Sequence, residues 1–217
     1  MDIVSYLLGK NSSSGGGSGL DWTVLGFETT PQSITNGYNY AVQIQQGWVV
    51  SGSWYNKFLN DYKLTYMPLV DTGTATDFQY AFNNCYGLQN IALLDMKNAA
   101  KLQNIFTNCY SLKEIPLFNF QNVTHTQNAF QNCVSLTTIP AISMPSLKYA
   151  QNMFLNCPSL TTDSLKNILD ICINATNYAQ TKTLAYLGFS ASTNPAATIQ
   201  SLPNYQQFLN AGWTIGY

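Results

Sequence analysis

The chain has 217 residues, of which only 9% are charged, and nine Lys plus Arg against ten Asp plus Glu leave a net charge of −1. An average soluble domain carries roughly 25% charged residues, so amides and hydroxyls make this surface polar and no basic field exists to draw a phosphate backbone. Composition therefore argues against nucleic-acid binding, and no run approaches the roughly 18 apolar residues that span a membrane as a helix. A surface so poor in charge is common among proteins that work outside cells.

Residues 1–10 carry apolar side chains at Ile3, Val4, Tyr6, Leu7 and Leu8, followed by a Gly/Ser run over 11–19. That run is a linker. An apolar decapeptide on a tether has little to bury itself against, so it is expected to dock on a partner protein. It is too short for the apolar core of a secretory signal, and Asp2 stands where a basic segment would be. Leu20, Trp22, Val24, Leu25 and Phe27 then suggest a strand that Pro31 ends. Asn36 can cap a helix carrying Tyr38, Ala41, Val42 and Ile44 before Gly47. Residues 20–57 read as an N-terminal cap, because the open end of a repeat stack needs a cover.

From residue 58 to 160 the chain repeats itself in steps of 24. Phe recurs at 58, 82, 106, 130 and 154, Asn two places later, Cys at 85, 109, 133 and 157, and Leu at 64, 88, 112, 136 and 160. The unit is F-x-N-C-x-x-L-x-x-I-x-L. A period of roughly 20 to 29 residues with an L-x-x-I-x-L core is the mark of a leucine-rich-repeat coil, whose core segment is a short strand. The named apolar residues of that segment should point inward. Stacked coils would form a parallel sheet with strands roughly 4.8 Å apart. The Phe side chains are expected to form an inner spine. The recurring Asn should form a structural ladder at a bend. The segments between, such as 95–103, must return along the convex side and end in a short helical turn.

After Leu160 the pattern breaks. Asp163 can cap a helix carrying Leu165, Ile168, Leu169 and Cys172, 184–189 looks like a strand, and Asn194-Pro195 starts another helix. Pro203 can open a last helix that Gly212 stops, with 213–217 extended and packed down. Residues 161–217 read as a C-terminal cap. The expected fold class is an α/β solenoid: a leucine-rich-repeat array of 24-residue coils, a parallel sheet on one face, and mixed α/β caps at both ends.

Little in the sequence points to catalysis. The recurring Cys fits a buried small hydrophobe, and in-register side chains one rung apart lie farther apart than the roughly 3.8 Å between Cβ atoms that a disulfide prefers. Nor do in-line thiols make a tetrahedral metal site. His125 is the only histidine, stands in a variable segment and has no partner in a recognisable motif. Asp71 and Asp95 are the carboxylates an acid-only enzyme would use. No enzyme activity, cofactor or metal is expected. What remains is a binding surface: Tyr66, Asn90, Glu114 and Thr138 should face the concave side, with Phe118 in a column at its rim, and exposed aromatics beside amides suit a sugar or a protein.

The units FTNCYSLKEIPLFNF, FQNCVSLTTIPAISM and FLNCPSL resemble the BspA-like leucine-rich repeats of bacterial and phage surface proteins. The opening MDIVSYLLGKNSSSGGGSG and the ending FLNAGWTIGY are similar to those of repeat proteins encoded among virion genes of phages infecting gut Firmicutes. The resemblance implies recognition and adhesion without catalysis. It implies a virion-associated protein of the tail-fibre or head-decoration type, docked on another virion protein through residues 1–10. Its solenoid would then meet a host-surface glycan or protein. A bacterial cell-surface adhesin is the alternative, and either could form a homo-oligomer.

Overall fold

The computed structural model describes residues 53–67 and 72–217. The expected docking peptide, the linker, nearly all of the expected N-terminal cap, and Pro68, Leu69, Val70 and Asp71 lie outside the described residues.

The repeating Phe side chains form one continuous column. Successive rings from Phe58 to Phe154 lie with centroids 5.3, 5.4, 5.6 and 5.5 Å apart and planes within 19° of parallel. All five are buried. Trp54 packs against Phe58, Phe78 and Phe82 at one end, and Phe189 closes on Phe154 at 5.8 Å at the other. Leu64, Leu88, Leu112 and Leu136 and the four recurring cysteines are buried beside this column in the same core.

Backbone groups around each Phe are used alternately. One set crosses to the next repeat: Asn56 N–H donates to the Gln79 carbonyl at 3.1 Å, Phe58 to Ala81 at 2.8 Å and Asn60 to Asn83 at 2.9 Å. The pattern recurs at Tyr80, Phe82 and Asn84, and again at Asn104, Phe106 and Asn108. The intervening groups close local turns, as when Lys57 donates to Trp54 and Leu59 to Asn56. Few donors are left over, which is what burial of an irregular segment demands.

Such an arm changes its local hand on either side of each Phe. Among the described residues ten other than glycine have positive φ, between 55° and 64°, and nine of them are Asn; the tenth is Tyr80. Asn tolerates the left-handed region better than other side chains because its short amide can bond locally. The expected helical turn ending at Phe is therefore corrected. A residue at positive φ two places before each Phe breaks any run of right-handed helical residues, and no α-helix occurs between 72 and 161.

The second side of each repeat carries the sheet, which is narrower than expected. β1 (Tyr66–Met67) pairs in parallel with β2 (Asn90–Ile91), Tyr66 opposite Asn90 and Met67 opposite Ile91. Beyond them only a single bridge joins Glu114 to Thr138. Proline explains the narrowing. Ala92 donates to the Met67 carbonyl at 2.8 Å, whereas Pro116 and Pro140 fill the equivalent places with no N–H to give. A separate line of single parallel bridges runs Ser53, Asp77, Lys101, His125, Tyr149, in steps of 24.

Leu93, Leu117 and Ala141, the last apolar place of the L-x-x-I-x-L unit, stand exposed instead of pointing inward. Leu94, Phe118 and Ile142 are buried in their stead. Phe118 N–H donates back to the Pro116 carbonyl at 2.8 Å, and Ile142 to Pro140 at 2.7 Å. This three-residue turn puts Leu117 and Ala141 at its apex and breaks the in–out alternation of a strand.

Three α-helices follow: α1 (Thr162–Asn174), α2 (Ala196–Gln200) and α3 (Tyr205–Asn210). Thr161, not Asp163, caps α1, its hydroxyl accepting from Ser164 N–H. Residues 184–189 are not a strand; they contain a 3₁₀ turn, Ala185–Leu187, ended by Gly188 at φ 92°. A side chain there is ruled out, since a Cβ would lie 2.5 Å from Leu155 N. The Tyr186 and Leu187 carbonyls accept from Asn152 and Phe154, where the next repeat's carbonyls would be. Ser164 does the same for the sheet side, its hydroxyl accepting from Ile139 N–H at 2.9 Å and donating to the Thr137 carbonyl at 2.8 Å. Trp213 is buried, and the Tyr217 hydroxyl donates to the Asn194 carbonyl.

Candidate functional site

Parallel stacking places equivalent side chains of successive repeats side by side. On the sheet side Asn90, Glu114 and Thr138 are exposed and Tyr66 is half-buried, its phenol pushed up by desolvation. Glu114 and Thr138 are brought together by their bridge, and Tyr66 and Asn90 by theirs. Phe118 is removed from this set: it is 3% exposed and packs on Phe120 at 5.5 Å, so it belongs to the core.

The most exposed aromatic feature lies where the sequence pointed to no binding residue. Tyr62, Tyr86 and Tyr110 stack outside the core with centroids 4.9 and 5.0 Å apart and exposures of 55%, 38% and 41%. Desolvation first, then the flanking Tyr62 and Tyr110 hydroxyls, raise the Tyr86 phenol above its ordinary value. The signal in the sequence is a tyrosine after each of the first two repeat cysteines. It ends where Val134 and Pro158 take the place. Two residues earlier runs the amide ladder. Asn84, Asn108, Asn132 and Asn156 each donate Nδ2 to the Oδ1 of the Asn one repeat back, at 2.7, 2.6, 2.7 and 3.0 Å.

The repeat cysteines, His125 and Asp95 are engaged in structure, while Asp71 lies outside the described residues. Cys85, Cys109, Cys133 and Cys157 are free and buried, each Sγ donating to a Phe carbonyl of the preceding repeat at 3.0 to 3.2 Å. Burial pushes the Cys85 and Cys157 thiols up to about 12. A thiol that holds its proton is a poor nucleophile. His125 is half-buried, its ring 4.7 Å from Tyr149 and its Nδ1 2.7 Å from the Thr124 hydroxyl. Desolvation, then Lys101 and Lys148, lower its pKa. Asp95 is held in a turn by Lys97, whose ammonium lies 3.0 Å away. Among the described residues no three metal-ligating side chains converge.

The thiols carry a pH prediction. A thiol protonated in the fold up to about 12 ionises in the unfolded chain near its ordinary 9.0. In that window the folded state binds more protons, so stability must fall as pH rises from about 9 to about 12. Urea midpoints measured across this range should decline steeply, and replacing Cys85 and Cys157 with alanine should flatten the decline. An unchanged slope in that double variant would show that other groups govern alkaline unfolding.

Parallel in-register repeats, a leucine and phenylalanine interior and a short parallel sheet define a solenoid-like repeat protein. The family model described as the BspA type leucine rich repeat region matches residues 56–183 in six copies. That is more than half of the chain, and the chain belongs to this family. The match runs beyond Leu160, where the simple pattern breaks, through α1 to residue 183. No curated protein and no solved structure matches the chain. No helix among the described residues is long and apolar enough to cross a membrane.

Proposed function

We propose that the chain is a non-enzymatic, virion-associated protein of a phage, docked through residues 1–10 and displaying its repeat stack to a host surface. Family membership suggests a surface or adhesion-type protein. The observation that carries a binding role is the exposed strip formed by Tyr62, Tyr86 and Tyr110, which serves no purpose in the core and repeats along the stack. Under this reading the repeats act as 24-residue coils, residues 20–57 cover one end and residues 161–217 the other. The substitute hydrogen bonds from Ser164, Tyr186 and Leu187 support the second cover.

The virion setting rests on the resemblance of the two chain ends to proteins encoded among virion genes. The particle is tested by mass spectrometry of purified virions, which should contain this chain at a stoichiometric level. Deleting residues 1–10 should leave a soluble domain with unchanged circular dichroism that no longer co-purifies with particles. Full incorporation of the deleted form would refute docking through that segment. A bacterial cell-surface adhesin is the second reading, favoured by the family match, and detection of the chain in a bacterial cell-wall fraction without particles would select it.

A further inference from the structure

We propose that the Tyr62–Tyr86–Tyr110 strip is a binding site for a neutral, hydroxyl-rich polysaccharide that lies along the stack axis, one sugar residue to each repeat. The inference deepens the binding role proposed above and rests on it. Three features of the strip select this ligand.

The first is the direction in which the rings offer contacts. With centroids 4.9 and 5.0 Å apart and planes 28° and 20° from parallel, the faces of the central ring are covered by its neighbours. A ligand therefore meets ring edges and phenol hydroxyls rather than an open aromatic face. Such a surface favours a partner that exchanges hydrogen bonds at regular intervals over a flat apolar one. The Asn ladder beside it adds amides at the same interval. Each ladder amide uses one Nδ2 hydrogen toward its neighbour, and an Nδ2 carries two.

The second feature is the interval. An extended peptide presents same-face side chains about every 6.6 to 6.8 Å. It falls out of step with a 5.0 Å row within two repeats. A single nucleic-acid strand is disfavoured by charge, since Lys63 is the one cation directly adjacent in sequence to any of the three tyrosines. A pyranose residue in an extended β-linked chain adds a length close to one repeat of this stack. The three tyrosines thus match three consecutive sugars.

The third feature is charge. The residues after each tyrosine are Lys63, Gly87 and Ser111, and those before are Asp61 and the two buried thiols Cys85 and Cys109. Asp61 is 9% exposed. Beside Tyr86 and Tyr110 the adjacent residues are all uncharged, so they offer an anionic polymer no counter-charge.

The test is affinity electrophoresis of the full chain through native gels containing either a soluble neutral β-linked glucan or an anionic polysaccharide such as polygalacturonate. Retardation is expected only in the neutral gel. It should be abolished by the triple change Y62A/Y86A/Y110A and reduced about fivefold by Tyr86→Phe, which removes one neutral hydrogen bond and keeps the ring. The exposed positions leave circular dichroism unchanged, and the triple variant should still bind particles through residues 1–10. Oligosaccharides of two residues should compete less well than those of three. No retardation in the neutral gel, equal retardation of the triple variant, or stronger retardation in the anionic gel would each overturn the site. Loss of particle association with intact glucan retardation would instead count against the virion reading alone.

Discussion

Replacing Phe106 with alanine is expected to destabilise the fold by about 3 to 5 kcal/mol, the usual range for deletion of a buried aromatic ring. The ring is fully buried, 5.4 Å from Phe82 on one side and 5.6 Å from Phe130 on the other. A cavity there cannot easily close. Phe82 N–H is bonded to the Ile105 carbonyl and Phe106 N–H to the Ala129 carbonyl, both at 2.9 Å, so the backbones above and below are held at the repeat spacing. In a stack each repeat touches only its neighbours, so no remote element can move in. Tyr110→Ala serves as the control from the same repeat, since its ring is exposed and an exposed change typically costs within about 0.5 kcal/mol. Urea unfolding followed by circular dichroism measures both. A loss under about 1 kcal/mol for Phe106→Ala, well short of the usual cost of such a deletion, would mean that the ring column does not organise the interior.

The column was legible in the sequence because a strict period states which residues share a place, and a large apolar residue at a fixed place has only the interior to go to. The same logic exposed the cysteines as core and the Asn row as a ladder. It failed where a place must be assigned a direction. Leu117 and Phe118 are adjacent, both apolar and both periodic, and only a turn closed by the Pro116 carbonyl decides that Leu117 is out and Phe118 in. The strand was overdrawn for a related reason. Pro116 and Pro140 were visible, yet a missing N–H matters only once it is known that this place donates across the stack, as Ala92 does to the Met67 carbonyl. The Tyr62–Tyr86–Tyr110 strip was overlooked because it spans three repeats of five and lapses at Val134, a shorter signal than the core columns.

The residue two places before Phe shows what a second reading of the same pattern could have found. Asn56, Asn104, Asn128 and Asn152 stand there, with Tyr80 as the one exception. A sequence search for buried contacts passes over them, since their role is backbone hand rather than burial. Paired Asn on either side of Phe58, Phe106, Phe130 and Phe154 are a statement about positive φ. Catalysis was expected to be missing because no recognisable motif surrounds His125; in the fold His125 lies against Thr124 and Tyr149, and Asp95 pairs with Lys97.

Asn108 separates the two duties of the ladder and carries the second large effect. Its Nδ2 donates to Asn84 at 2.6 Å, its Oδ1 accepts from Asn132 at 2.7 Å, and its backbone sits at φ 63°. Asn108→Ala loses two side-chain hydrogen bonds, worth about 1 kcal/mol each. It also leaves in the left-handed region a residue without the short amide that lets Asn adopt it, at a further cost of up to about 2 kcal/mol. The expected loss is about 2 to 4 kcal/mol, read from the urea midpoint. Asn108→Gly keeps the backbone conformation open and removes only the side-chain bonds, offset by the greater freedom of glycine in the unfolded chain. It should therefore sit about 1 kcal/mol above the alanine variant. If the two variants prove equally unstable, the amide ladder is what holds successive repeats in register. If the glycine variant matches the parent chain, the ladder bonds contribute nothing and Asn recurs for its backbone conformation alone. The intermediate outcome is the expected one, because the same row of residues both sets the hand of each turn and ties it to the next, and removing either function should loosen the stack that holds Tyr86 and Tyr110 in line.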